Sequence, residues 1–446
     1  MIDREPLMAI FNAALSAADP YRAVTRLLRI EGGKIYAGAF GYNLGDFERI
    51  IVVGAGKAAA RMAAAVEDVL GDALDGGIVI VKYGHRADLK TIEQVEAAHP
   101  IPDKAGAEGT QRILGLIRGA DEKTLVVCLL SGGGSALLVA PLPGITLEDK
   151  QRTTDLLLRA GANVTELNTI RKHLSVVKGG RLAEAVHPAS LITLILSDVI
   201  GDRLDVIASG PTVPDETNFR DALGVIHTYS LERNIPDSVF SLLHMGVAGV
   251  VPDTPKEGAA FFQKTRNVIV GSIRQSLDAA RKRAAELGYE VEAASSELQG
   301  EARDAARFLA KKAIETRSVM RPGDRPRCLL SGGETTVTVK GAGKGGRNQE
   351  LALTFAREVS GRDGITLLSA GTDGTDGPTD AAGAVVDGGT WLEARASGLD
   401  GDAFLEKNDS YSFFSKLDLQ SGEKRHLKTG PTGTNVMDVQ IILVTG

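Results

Sequence analysis

Apolar positions fall into two patterns along the chain. Unbroken apolar runs at 49–53, 77–82, 124–130 and 191–196 have the length and branched content of strands buried on both faces of a parallel sheet. Around them apolar residues recur every three or four positions, which marks helices with one buried stripe. Leu7, Ile10, Phe11, Ala14 and Leu15 make such a stripe, and further helices are predicted over 21–30, 104–118 and 147–160. Another begins near Thr165, with Leu167, Ile170, Leu174 and Val177 on one face and Asn168, Arg171, Ser175 and Lys178 on the other. The segment 230–264 holds short helices broken by Pro236, Pro252 and Pro255. Beyond it lie strands at 267–270, 290–294, 328–330, 335–339, 365–369, 384–387 and 439–444, with helices at 276–287, 301–316, 349–359, 390–397 and 410–416. The pattern predicts an α/β fold in two domains: a Rossmann-like doubly wound sheet over 1–245, a linker region over 246–264 and a smaller α/β domain over 265–446.

Composition narrows the function without naming it. The 446 residues exceed what one ordinary core organises, and 43% hydrophobic with 24% charged residues is the balance of a soluble globular chain. Against 4% aromatics, 52 glycines outside any tandem repeat point to turns and ligand loops. A net charge of -6 supplies no basic field for nucleic acid, so any anion must be held by a local cluster. Cys128 and Cys328 lie on apolar runs with no disulfide or zinc spacing, which fits a reducing, cytoplasmic setting. Asp3 and Glu5 spoil a signal-peptide start, and no run reaches the length of a membrane span.

Candidate chemistry sits where strands end. After the run at 49–53, Gly54, Gly56 and Ala59 match the dinucleotide fingerprint, but the run at 77–82 ends in Lys82, Tyr83, Gly84, His85 and Arg86 where an acid should meet the ribose. NAD is therefore disfavoured, NADP remains open, and Lys57 on this turn is placed to meet an anion. Ser131, Gly132, Gly133, Gly134 and Ser135 follow the third run. The wording Cys-Leu-Leu-Ser-Gly-Gly recurs at 328–333, so Ser331, Gly332, Gly333 and Glu334 form a second candidate nucleotide turn. Arg171 and Lys178 offer cations for a carboxylate or phosphate, His99 is an uncommitted ligand group, and Asp198 follows the apolar run at 191–196 as a metal ligand or base. In the second half a glycine loop at 341–346 carries Lys344 and precedes Arg347, and Asp373, Asp376 and Asp380 follow on an acidic loop suited to Mg²⁺ beside phosphates. The small residues at 429–435 can offer hydroxyl and N–H donors to a nucleotide.

Taken together, these motifs resemble the class II glycerate 2-kinases, whose C-terminal half is the MOFRL domain. The matching stretches are GAGKAA from Gly54, AAHPIPD from Ala97, LLSGGGSALL from Leu129, LNTIRKHLSVVKGGRLA from Leu167, LSDVIGD from Leu196 and IASGPT from Ile207. They continue with SGGETTV from Ser331, GGRNQELAL from Gly345, AGTDGTDGPTDAAGA from Ala370 and TGPTGTNVMD from Thr429. The resemblance implies transfer of the ATP γ-phosphoryl group to the 2-hydroxyl of D-glycerate, with Mg²⁺ or another divalent cation, in a cleft between the two domains. It implies Lys57, Arg347 and Asp373 as catalytic residues. The remaining expectations join the residue reading to it: Gly54, Gly56 and the two Ser-Gly turns for the nucleotide, Arg171 or Lys178 for the glycerate carboxylate, and Asp198 and Asp376 for the metal. A homodimer is compatible with it, and no nucleic-acid or membrane partner is implied. The alternative is an NAD(P)H-dependent hydroxypyruvate reductase, which accounts for Gly54, Gly56 and Ala59 but leaves Arg347 and the acidic loop without a role.

Overall fold

The apolar runs of the first half become strands of one sheet. In the computed structural model, which describes residues 3–446, the chain divides into an N-terminal unit, Pro20–Val270, and a C-terminal unit of Gly271–Gly446 together with the residues up to Asp19. The sheet of the N-terminal unit runs Ile92–Ala97, Gly76–Lys82, Arg49–Ala55, Thr124–Leu130, Ser190–Leu196 and Thr265–Gly271. Its first five strands are parallel. Counted along the chain the order is third, second, first, fourth, fifth, sixth, so the winding reverses between Arg49–Ala55 and Thr124–Leu130, where ligands of such sheets bind. A separate apolar cluster, including Leu157, Ile170, Leu174, Phe219 and Leu242, unites the helices Leu147–Arg159, Val164–His173, Phe219–Thr228 and Asp237–Val247. Capping boxes at Thr146, Asn163 and Asn218 start three of them.

The C-terminal unit has a mixed sheet in the order Glu290–Leu298, Arg327–Gly333, Asp438–Val444, Ile365–Gly371, Gly383–Asp387 and His426–Leu427. Only its first pair is parallel; Asp438–Val444 runs antiparallel to both neighbours. Asp438 thus lies level with the carboxyl ends of two strands, opposite Gly333 and Gly371.

Several boundaries differ from the pattern reading. The first helix, Glu5–Ala18, belongs to the C-terminal unit, and the chain passes between units at Val270. Residues 246–264 are not a free linker, because the Asp253 carboxylate bonds His173, Thr254 bonds Asp215 and the Pro252 carbonyl accepts from Arg181. The predicted helix over 21–30 stops at Leu27, where Gly32 and Gly33, both at positive φ, turn the chain into a hairpin of Leu28–Glu31 and Lys34–Ala37. The helix begun near Thr165 ends at His173, so Ser175, Val177 and Lys178 share no helical face with Arg171. The strand predicted at 335–339 reduces to one bridge between Thr336 and Glu301.

Candidate active site

In the N-terminal unit two turns open side by side at the sheet's reversal, since Ala55 pairs with Leu130 and both strands end there. The turns are laced together: Lys57 N donates to Gly132 O at 2.9 Å, and Ala58 N to Ser131 Oγ at 3.1 Å. Gly56 is at positive φ, and a Cβ there would overlap Ser131, so the close approach its missing side chain permits is to protein. Gly54 lies inside the strand, where a Cβ would overlap Leu129. Both glycines, expected at the cofactor, pack backbone against backbone.

Lys57, His99 and Asp198 converge on the second turn. A Cβ on Gly132 would overlap the Asp198 carboxylate, and one on Gly133 would lie 2.9 Å from His99 Cδ2 and 3.3 Å from Lys57 Cγ. Burial, with Lys57, Lys82 and His85 adding repulsion, pushes the His99 imidazole down to about 4, so it is neutral at neutral pH. Burial raises the Asp198 carboxyl above its ordinary value, and the Lys57 charge offsets part of that rise. Below the turn, Ser135 Oγ meets Ser209 Oγ at 2.7 Å, Ser209 Oγ donates to Asn168 Oδ1 at 3.0 Å, and Lys178 Nζ donates to Ser135 O at 2.7 Å. Ala208 and Ser209 hold left-handed backbone, φ 50° and 62°, a conformation costing about 1–3 kcal/mol per residue that persists where surroundings enforce it. The structure therefore groups Lys57, Asp198, 131–135 and Lys178, although no shared helix joins Lys178 to Arg171.

In the C-terminal unit Arg347 opens the helix Arg347–Glu358 and is pinned before any ligand arrives. Its Nε and Nη2 donate to the two Asp438 oxygens at 2.6 and 2.9 Å, and Nη1 lies 2.9 Å from Glu334 Oε1. Burial works to lower the guanidinium pKa, but the fork-to-fork bond to Asp438 outweighs it and the value rises. Asp373 sits next to this pair: a Cβ on Gly371 would lie 3.2 Å from Asp373 Oδ1 and 3.4 Å from Asp438 Oδ1. Asp438 closes the matching stretch from Thr429 but was given no role, being one acid at the start of an apolar run. Its partner across the sheet, Gly333, was read as a turn.

Other expectations in this unit are corrected. Asp376, expected at the metal, is 2% exposed and accepts from Asn348 N at 3.0 Å, Gln349 N at 2.9 Å and Gln349 Nε2 at 2.9 Å. It caps the helix Arg347–Glu358, and burial pushes its carboxyl up to about 6 against those donors. Ser331, Gly332 and Gly333 continue the strand Arg327–Gly333 instead of turning. Ser331 Oγ bonds Gln440 and the two glycines leave room for Ile273 and Leu298, so these three are packing positions. The glycine loop before Arg347 spends its N–H groups internally: Lys340 and Gly341 donate to Asn408 Oδ1, Gly343 to Lys407 O and Lys344 to Asp409 Oδ1. Asp380 is taken up by Tyr411 and Lys428, at 2.7 and 2.9 Å. At 429–435 the Thr432 and Thr434 hydroxyls bond the carbonyls of Thr372 and Ala18.

Among the described residues no group of three or more His, Cys, Asp or Glu forms a metal cluster. A Mg²⁺ ion held mainly by water and nucleotide phosphates needs only one or two carboxylates, and Asp373 is of that type.

Known proteins match this chain over nearly its whole length. Residues 6–244 match a family described as a domain of unknown function (DUF4147), and residues 327–438 match the MOFRL family. A D-glycerate 2-kinase of Thermotoga maritima is 46% identical over 400 residues, covering 90% of this chain and 91% of its own. A protein of Agrobacterium vitis provisionally named a hydroxypyruvate reductase is 41% identical, covering 99% of this chain and 94% of its own. The crystal structure of a glycerate kinase from Thermotoga maritima superimposes with a TM-score of 0.87 at 42% identity, over 99% of each chain.

Proposed function

The chain belongs to the class II glycerate 2-kinase family, and on that premise we propose that it transfers the γ-phosphoryl group of ATP to the 2-hydroxyl of D-glycerate, giving 2-phosphoglycerate and ADP. The observation that carries this reading is the setting of Lys57. It projects from the strand-to-helix turn at the sheet's reversal, against His99 and the Gly132–Asp198 contact, where a phosphate would meet an ammonium and a helix start.

Phosphoryl transfer asks little covalent chemistry of the protein and much positioning of charge. In this reading the acceptor hydroxyl oxygen forms a bond to the γ-phosphorus while the bond to the ADP oxygen breaks. Lys57 meets the negative charge on the transferred group from the N-terminal unit, and Arg347 is the fixed cation that the C-terminal unit offers for the same kind of charge. Arg347 suits this because Asp438 and Glu334 fix its plane while using three of its five N–H groups, so no reorganisation is needed as the reaction proceeds. The hydroxyl proton passes to Asp198, whose raised affinity for protons fits that task. A divalent cation, Mg²⁺ or another, would be held by Asp373 with the nucleotide and would neutralise phosphate charge. Two buried cysteines with free thiols support a cytoplasmic location.

The reductase reading has the Agrobacterium name in its favour but lacks its cofactor's requirements. Gly56 is filled from below by Ser131, and the strand Gly76–Lys82 ends in a lysine where an NAD ribose needs an acid. Two parallel assays decide: ADP release from ATP dependent on D-glycerate, and NADH or NADPH consumption dependent on hydroxypyruvate. Acceptor-dependent ADP with no nicotinamide turnover is expected, and the converse result would replace the kinase reading.

A further inference from the structure

One lysine lies on the wrong side of its helix. In Leu147–Arg159 the buried positions are Lys150, Thr153 and Leu157, so an ammonium occupies the inward stripe where an apolar residue belongs. Lys150 is 4% exposed and its Nζ donates to the Arg171 carbonyl at 3.2 Å. Lys178 is fully buried and, among the described residues, donates to Ser135, at 2.7 Å to the carbonyl and 3.3 Å to the hydroxyl. The Arg171 guanidinium is held below its ordinary pKa by burial. Among the described residues none of the three forms a salt bridge. The charges bearing on Lys150 are those of Arg171 and Arg181, and those bearing on Lys178 are Lys150 and Arg171. Arg181 is tied to the Ser175 and Pro252 carbonyls and also faces Glu184, Asp253 and Asp215.

The helix Val164–His173, which carries Arg171, shows how the fold pairs a buried lysine. Lys172, also 4% exposed, meets the buried Asp215 carboxylate at 3.1 Å. Three basic groups buried together with no acid beside them resist carrying charge unless a ligand brings an anion. Beside Lys178 stand the Ser135 and Ser209 hydroxyls and the Asn168 amide, which suit the alcohol oxygens of a short hydroxy acid.

We propose that Lys150, Arg171 and Lys178 form a carboxylate-binding subsite that takes the acid group of the acceptor, with Lys150 setting its specificity for an acid over a neutral polyol. The identity of the acceptor rests on the kinase reading; the subsite does not. Burial and the neighbouring cations push Lys150 down to about 7, so the free protein at pH 8 holds it largely neutral and an arriving carboxylate draws in a proton.

The test is calorimetric binding, without nucleotide, of D-glycerate, hydroxypyruvate, glycerol and inorganic phosphate to the wild-type chain, Lys150→Met and Lys150→Arg. The wild type is expected to bind both carboxylates in preference to glycerol, Lys150→Met to weaken them about tenfold or more, and Lys150→Arg to retain them within about threefold. Heats in Tris and HEPES at pH 8 should reveal proton uptake by the wild type that Lys150→Met abolishes. If Lys150→Met does not fold, Arg171→Gln serves for the affinity comparison. The proposal is overturned if Lys150→Met binds glycerate as the wild type does and loses only melting temperature, which would leave Lys150 as a cap on the Arg171 carbonyl. It also fails if glycerol binds as well as glycerate, or if phosphate binds and the carboxylates do not. Lys150-dependent carboxylate binding without phosphoryl transfer would sink the kinase reading and keep the subsite.

Discussion

Residues 128–133 and 328–333 are spelled identically, Cys-Leu-Leu-Ser-Gly-Gly, and the chain uses them in opposite ways. The first leaves its sheet at Ser131, because its neighbours Arg49–Ala55 and Ser190–Leu196 end at the same level and offer no further ladder. The second stays in its sheet through Gly333, because Leu298 on one side and Asp438 on the other still pair with it. Identical words therefore give an open turn in one unit and a structural rail in the other. The rail sets Asp438 opposite Gly333, and Asp438 holds Arg347.

The comparison can be broken most forcefully at the residue the rail supports. Arg347→Ala is expected to lower turnover by about 10³-fold and to cost about 3–5 kcal/mol of stability, since Asp438, 1% exposed, loses its charge partner. Steady-state rates and denaturant unfolding check both halves. Lys57→Ala, beside the first hexapeptide, should lose about 10³-fold in turnover with unfolding unchanged, because that side chain packs no core. A stability loss equal to that of Arg347→Ala would erase the distinction between turn and rail.

The glycines sharpen it. Gly333→Ala would force a Cβ into the Leu298 backbone at positive φ, and a loss on the order of 2–4 kcal/mol is expected in the unfolding midpoint. Gly132→Ala meets the movable Asp198 carboxylate instead, so it should spare the fold and displace Asp198, with turnover falling about 10²-fold. The smallest effect concerns His99. Its folded pKa of about 4 lies below the unfolded value, so the stability it permits is complete above about pH 6.5 and declines as pH falls toward 4. Unfolding at pH 7 and pH 4.5 should show a shallower acid loss in His99→Gln than in the wild type.

Much of the parallel sheet was legible because continuous apolar runs have few alternatives, and the turn carrying Lys57 followed from the run before it. The strand Ile92–Ala97 was missed because its burial is mixed and charged residues interrupt it. Ser331, Gly332 and Gly333 were misread because glycine marks a turn or a close approach equally well, and only the neighbouring strands decide. Asp376 was misread for a related reason: an acid among small residues suits a metal loop and also a helix start, and here Asn348 N and Gln349 N claim it. Lys150 escaped notice although its signal was present, a lysine three and seven residues before Thr153 and Leu157 on the inward stripe.

The central claim is phosphoryl transfer to one particular oxygen. Its most direct test is ³¹P NMR of the product formed from ATP, Mg²⁺ and D-glycerate by the wild-type chain, beside a control without acceptor. Acceptor-dependent 2-phosphoglycerate is the predicted result. Formation of 3-phosphoglycerate would contradict the site of transfer, and ATP left intact with glycerate present would contradict the reaction itself.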